Sequence, residues 1–171
     1  MNFDGWSSGV SEATDSTYGC HHDGTDTDPG GIEKWLRLGE GVGLSRDDLE
    51  GERLLLPGVR FAVDAYVNFV ATRPWIEGVA SSLTELFAPA LMTTRLAAFE
   101  QHYTWIDPAA LAYFRARPPL ATRDSEHGLT LVLTHCRTRD EQERAVAALR
   151  FKCDVLRAQL DAVYHECAMD R

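Results

Sequence analysis

The sequence predicts an all-α protein, a helical bundle, on three observations. From Val146 to Cys167 apolar residues recur in alternating steps of three and four: Val146, Leu149, Cys153, Leu156, Leu160, Val163, Cys167. That is the period of one face of a long helix. Upstream, segments of helical spacing are cut by Pro57-Gly58, Pro74, Pro89, Pro108 and Pro118-Pro119. No stretch shows the apolar-polar alternation of a half-buried strand.

The elements follow in order. Residues 1–30 are rich in Gly, Ser, Thr and Asp without hydrophobic period, and are expected to form an irregular arm ahead of a helical bundle domain over 31–171. Ile32, Trp35, Leu36 and Leu38 begin a helix that the glycines from Gly39 to Gly43 end. Ser45 caps a short helix with Asp47 and Asp48 in its first turn. Val59, Val63, Tyr66, Val67 and Val70 mark a third helix, which Pro74 stops. Trp75, Val79, Leu83, Leu86 and Phe87 mark a fourth, which Pro89 breaks, and Leu91, Leu96 and Phe99 continue to a loop at 102–106. Asp107-Pro108 is an N-cap followed by proline at the first helical position. Pro118-Pro119 is expected to end that helix and open another, which runs to about Cys136. Thr138-x-x-Glu141 is a capping box for a last helix over 139–168, about 45 Å long, whose 146–167 stripe is expected to pack in the bundle.

Composition narrows the function. The chain has 171 residues, enough for one domain with a core, and 44% hydrophobic against 25% charged residues is a globular balance. Seventeen Lys and Arg stand against 26 Asp and Glu, a net charge of −9, which repels phosphate backbones and argues against nucleic acid as a partner. No apolar run reaches the roughly 20 residues of a membrane span. The first basic residue is Lys34, so the N-terminus carries no positive n-region, and a cytoplasmic location is expected. Cys20, Cys136, Cys153 and Cys167 form no CxxC pair and are expected as reduced thiols, with Cys153 and Cys167 as small core residues.

Several residues could carry chemistry. Cys20-His21-His22-Asp23 has the composition of a metal site, but adjacent residues rarely ligate one ion together, and local grounds favour two histidines in an acidic arm. Ser81-Ser82-Leu83-Thr84-Glu85-Leu86 places polar residues inside an apolar helix. Either Thr84 or Glu85 then faces the interior, as a paired or protonated functional carboxylate in the case of Glu85, or the segment is the solvated edge of an amphipathic helix. Asp124-x-x-His127 is one carboxylate-imidazole pair on a helical face; di-iron bundles need two such pairs, and a salt-bridging role is the simpler reading. The chain has only two lysines, Lys34 and Lys152, against fifteen arginines. Lys152 flanks the apolar stripe, where an ammonium either snorkels to water or points into a cavity at an anion. Arg115, after Tyr113-Phe114, has the same choice.

Five segments together are more specific. They are Gly30-Gly31-Ile32-Glu33-x-Trp35-Leu36-Arg37-Leu38-Gly39-Glu40, Leu56-Pro57-Gly58-Val59-Arg60-Phe61-Ala62-Val63-Asp64-Ala65-Tyr66, Ser81-Ser82-Leu83-Thr84-Glu85-Leu86-Phe87-Ala88-Pro89, Arg123-Asp124-x-Glu126-His127-Gly128 and Phe151-Lys152-x-Asp154-x-Leu156. From about His22 to Tyr164 the chain resembles the pyrroloquinoline-quinone synthase (PqqC) family. The resemblance implies a haem-oxygenase-like all-α bundle that forms a homodimer. It implies ring closure and O2-dependent oxidation of the pyrroloquinoline quinone (PQQ) precursor, with release of hydrogen peroxide. It implies no metal and no organic cofactor: O2 is the co-substrate and PQQ the product. His22 matches the family's active-site histidine in a His-Asp-Gly motif, and Tyr66 and Glu85 match pocket residues that bond the quinone or relay protons. A substrate with several carboxylates needs cations inside a net-negative protein, which Lys152, Arg115 and Arg95 supply, with Thr84 beside them in the substrate-binding set.

The sequence also departs from the family. The family's first helices, which add a tyrosine, a histidine, an arginine and a glutamine to the pocket, have no counterpart, so an N-terminally truncated bundle is expected. Tyr18 stands where an arginine is expected, Met92 where the family has a second pocket histidine, and Leu111 where some members have tyrosine. Three readings follow: a PQQ synthase, a degenerate bundle that binds the quinone without turnover, or a metal-dependent oxidase of the same fold using Glu85, Asp124 and His127, which lacks further ligands.

Overall fold

The structure, a computed structural model, describes residues 29–169. Among them every regular element is helical and there is no strand. The helices are α1 (Gly30–Gly41), α2 (Arg46–Glu50), α3 (Pro57–Thr72), α4 (Trp75–Ser81), α5 (Ala88–His102), α6 (Ala112–His135) and α7 (Arg139–Met169), with 3-10 segments at Ser82–Phe87 and Pro108–Leu111. The expectation of an irregular arm falls almost wholly outside the described residues. The rest divides into two compact units: the chain up to Arg53 with Phe87–Thr122, and Leu54–Leu86 with Arg123–Arg171.

Capping chemistry sets the helix starts where the sequence predicts. The Asp48 amide donates to the Ser45 hydroxyl (3.2 Å), and the Ala109 amide to the Asp107 carboxylate (2.8 Å). At α7 the box is reciprocal: the Glu141 amide donates to the Thr138 hydroxyl (3.3 Å), and the Thr138 amide to the Glu141 carboxylate (2.8 Å). Those bonds hold the Glu141 carboxyl below its usual pKa, the Thr138 amide contributing most.

Unit 1 packs around rings. Leu38, Ile106, Ala110, Leu111 and Phe114 are buried, with Met92, Leu96, Phe99 and Tyr113 against them. Trp35 lies 4.6 Å from Tyr113 and 5.8 Å from Phe114 between ring centres, and Phe99 lies 5.2 Å from Phe114. Its paired charges are exposed or half-buried. Arg46 donates to both oxygens of Glu33 (3.0 and 2.9 Å) and to Glu40 (3.1 Å), and Arg37 donates to Glu33 (3.0 Å). These bonds, that to Arg46 first, pull the Glu33 carboxyl down to about 2.

Unit 2 is an antiparallel pair, α3 on α7, with α4 laid on α7. The order of contacts fixes the direction. A Cβ at Gly58 would meet the Ala162 Cβ at 2.8 Å, Tyr66 faces Lys152, and Phe69 stacks on Phe151 at 4.5 Å. Gly58 is required by that first approach, since any side chain there would force the helices apart. Ala80, Cys136, Ala145 and Ala148 form the buried cluster below.

Four expectations need correction. The packed stripe of α7 is not 146–167 but the one beginning a residue earlier, Ala145, Ala148, Lys152, Val155, Gln159 and Ala162, all buried or half-buried. Close helix approach selects small side chains, and the larger residues face outward: Leu160 is 65% exposed. Cys153 and Cys167, on that outer stripe, are therefore exposed rather than core residues, while Cys136 is buried and its thiol pKa raised by that burial. Pro118 and Pro119 lie inside the continuous helix α6 instead of separating two helices. The fourth predicted helix ends at Ser81 and continues as a 3-10 segment, so that Pro89 falls within the first turn of α5, where its missing N–H costs nothing.

Candidate active site

In unit 2, α3, α4 and α7 bring together the polar residues that the sequence scatters. Tyr66 lies on the inner side of α3, on the line of Gly58 and Ala62 at four-residue spacing. Lys152 sits mid-way along the inner stripe of α7. Its ammonium nitrogen is 3.4 Å from the centre of the Tyr66 ring, a cation on an aromatic face. Both side chains are half-buried. Burial lowers the Lys152 pKa from its ordinary value, against the pull of the Glu85 carboxylate, which favours the charged form. Burial likewise raises that of Tyr66; the hydrogen bond with Ser81 opposes the rise and the negative charge of Glu85 adds to it. Glu85 thus acts electrostatically on both groups.

The Tyr66 hydroxyl is 3.0 Å from the Ser81 hydroxyl, and Ser81 donates its own proton to the Gly78 carbonyl at 2.6 Å. Ser82 donates to the Val79 carbonyl in the same way (2.8 Å). These consecutive bonds to the third residue back accompany the tightening of α4 into the 3-10 segment that carries Thr84 and Glu85, both half-buried. An ammonium, a phenol and a carboxylate in partial burial can hold an anionic ligand and exchange protons with it.

Ser81 was not singled out from sequence. The signal was the Ser-Ser pair inside an apolar helix, and Ser81 is completely buried. Arg95 and Arg115 belong to unit 1, where Arg95 is exposed and Arg115 donates to Glu100 (2.9 Å) and to the Pro108 carbonyl. Met92 and Leu111 are also in unit 1, packed in its core. Asp124 pairs with Arg123 at 2.8 Å. Among the described residues no three His, Cys, Asp or Glu side chains gather as a metal site, and no helix is long and apolar enough to cross a membrane. Tyr18, Cys20, His21, His22 and Asp23 lie outside the described residues.

Comparison with known proteins gives the kinship. Residues 10–162 match the model of the TENA/THI-4/PQQC family. The chain is 56% identical over 142 residues to the pyrroloquinoline-quinone synthase of Pseudomonas putida W619, covering 83% of this chain and 57% of that protein. It is 54% identical over 150 residues to that of Cronobacter sakazakii, covering 88% and 60%. To that of Pseudomonas putida GB-1 it is 52% identical over 160 residues, covering 88% and 64%. The chain thus spans about three-fifths of the length of these relatives. With only helical elements among the described residues and this match over most of its length, the chain belongs to the TENA/THI-4/PQQC family.

Proposed function

We propose that the chain carries out the pyrroloquinoline-quinone synthase reaction, as a cytoplasmic homodimer. The substrate is the PQQ precursor, a small molecule with several carboxylates; ring closure and oxidation convert it to PQQ. Molecular oxygen takes up electrons and protons from the ring and leaves as hydrogen peroxide. No metal and no organic cofactor takes part in this proposal. The observation that carries it is the unit 2 cluster, in which the Lys152 ammonium lies on the Tyr66 ring and Glu85 acts on both, in a chain 52–56% identical to three synthases.

In this reading Lys152 holds a ligand carboxylate, with Thr84 as a further substrate contact. Glu85 and His22 take and return the protons released as the ring is oxidised, and Tyr66 bonds the quinone. The depressed Lys152 pKa suits the first role: a poorly solvated ammonium gains more from an anion than a hydrated one does. The outward apolar stripe of α7, with Leu156, Leu160 and Val163, is surface that a second copy would bury.

The test is incubation of the purified chain with precursor and oxygen, following quinone absorbance and peroxide together. Stoichiometric peroxide and quinone are expected, with metal analysis below one ion per chain. Quinone binding without turnover identifies the chain as a binding bundle instead. Lys152→Ala is expected to weaken quinone binding at least about tenfold, the worth of one charge-assisted hydrogen bond. Sedimentation is expected to give twice the 19.0 kDa chain mass.

A further inference from the structure

We infer that Ser81 is a positioning residue that fixes the Tyr66 hydroxyl as a hydrogen-bond donor to the protein, leaving the phenol oxygen to face a ligand only as an acceptor. A serine hydroxyl has one proton to give. Ser81 gives it to the Gly78 carbonyl at 2.6 Å, so across the 3.0 Å contact with Tyr66 it accepts, and Tyr66 donates. Serines in helices often bond back to a carbonyl of the preceding turn, as Ser82 does to Val79. Ser81 differs in two respects: it is completely exposed to protein and not at all to water, and it has a second partner from another helix.

The chain of bonds, Tyr66 to Ser81 to Gly78, ends at a backbone carbonyl, which has no proton to pass on. It therefore orients the phenol and is not a proton wire. Its consequence is selective. The phenol oxygen presents lone pairs to whatever lies beside it, and the favoured neighbour is an N–H or O–H group, while the carboxylates of a ligand are left to the Lys152 ammonium above the ring. Two polar groups a few ångströms apart thus receive opposite kinds of ligand atom.

The geometry alone carries the orientation of Tyr66; its effect on quinone binding rests on the proposed synthase reading, and the test separates the two. The first measurement needs no ligand. The intensity ratio of the tyrosine Raman doublet reports whether a phenol donates or accepts, and subtracting the Tyr66→Phe spectrum isolates Tyr66 from the other four tyrosines. A donor signature is expected in the unmodified chain and is expected to be lost in Ser81→Ala. Ser81→Cys, of similar size but a weak acceptor, is expected to lose it as well, with melting temperatures showing both variants folded. A Tyr66 spectrum unchanged by both substitutions overturns the inference. The second measurement is PQQ affinity by absorbance. Ser81→Ala is expected to weaken it about fivefold, and to have no effect in a Tyr66→Phe background. An equal loss in both backgrounds means that Ser81 acts independently of Tyr66 and overturns the inference. If the unmodified chain does not bind PQQ, the synthase reading fails and the Raman result alone decides the role of Ser81.

Discussion

Unit 1 and unit 2 are built on opposite plans. Unit 1 fills its centre with rings and leaves its charged side chains exposed or half-buried, as where Arg46 gathers Glu33 and Glu40. Unit 2 fills its helix contacts with alanines and places polar groups within. All three buried polar or charged residues among those described, Glu77, Ser81 and Ser125, belong to it, and Lys152 and Tyr66 are half-buried beside them. Burying such groups costs free energy that apolar substitutes would not. Unit 1 thus follows the economy of stability, and unit 2 departs from it where a site needs polar atoms out of water.

Substitutions can break or sharpen this contrast. The largest effect is expected from Phe114→Ala in unit 1, which empties a ring-sized space among Trp35, Phe99 and Tyr113. A loss of about 3–5 kcal/mol is expected in denaturant unfolding. A loss below about 1 kcal/mol would show that the rings do not hold unit 1 together. Next is Arg144→Ala in unit 2. It strips Glu77, only 6% exposed, of the guanidinium 3.2 Å away, and is expected to cost about 1–3 kcal/mol, largely regained when Glu77→Gln is added. Absence of that recovery would mean that Arg144 matters for packing and not for charge.

Lys152→Met tests the contrast from the other side, since it should stabilise the protein while weakening ligand binding at least about tenfold. The sign follows from the proton count. The folded pKa of Lys152 lies below the ordinary 10.5, so between the two values the unfolded chain binds more protons and stability rises with pH. Below the folded pKa the full penalty is present. The variant is therefore expected to melt higher than the unmodified chain at neutral pH, with the advantage shrinking as pH rises toward 10.5. A lower melting temperature at neutral pH would show that the contact with Tyr66 outweighs desolvation. The smallest effect is expected from Arg46→Ala, a slight drop in melting temperature that shrinks in concentrated salt, because its pair with Glu40 is exposed and that with Glu33 only partly buried. The Glu33 carboxyl, held at about 2, contributes fully above its ordinary 4.5, and that contribution is lost progressively as pH falls from 4.5 through about 2.

The sequence was most legible where chemistry is local. Ser45, Asp107 and the Thr138–Glu141 box state their helix starts within four residues, and the structure uses all three. It was least legible where two helices decide jointly. Hydrophobicity points to the stripe from Val146 to Cys167, but α3 approaches closely enough at Gly58 to admit only small residues, and α7 turns Ala145, Ala148 and Ala162 inward. The site shows the same division. Lys152 stood out by rarity and Glu85 by its place in an apolar helix; resemblance pointed to Tyr66. Ser81 did not stand out, since a buried serine is ordinary until its partner on another helix is known.

The change of α4 into a 3-10 segment at Ser82 has a consequence in time. Bonds spanning three residues are strained in direction and open more readily than those of an α-helix. Amide hydrogens over 82–87 should exchange with deuterium well before those in the middle of α7, which has 31 residues and a packed inner stripe. Glu85 therefore rides on a part of unit 2 that opens early, and Lys152, which feels its charge, on the part that opens last.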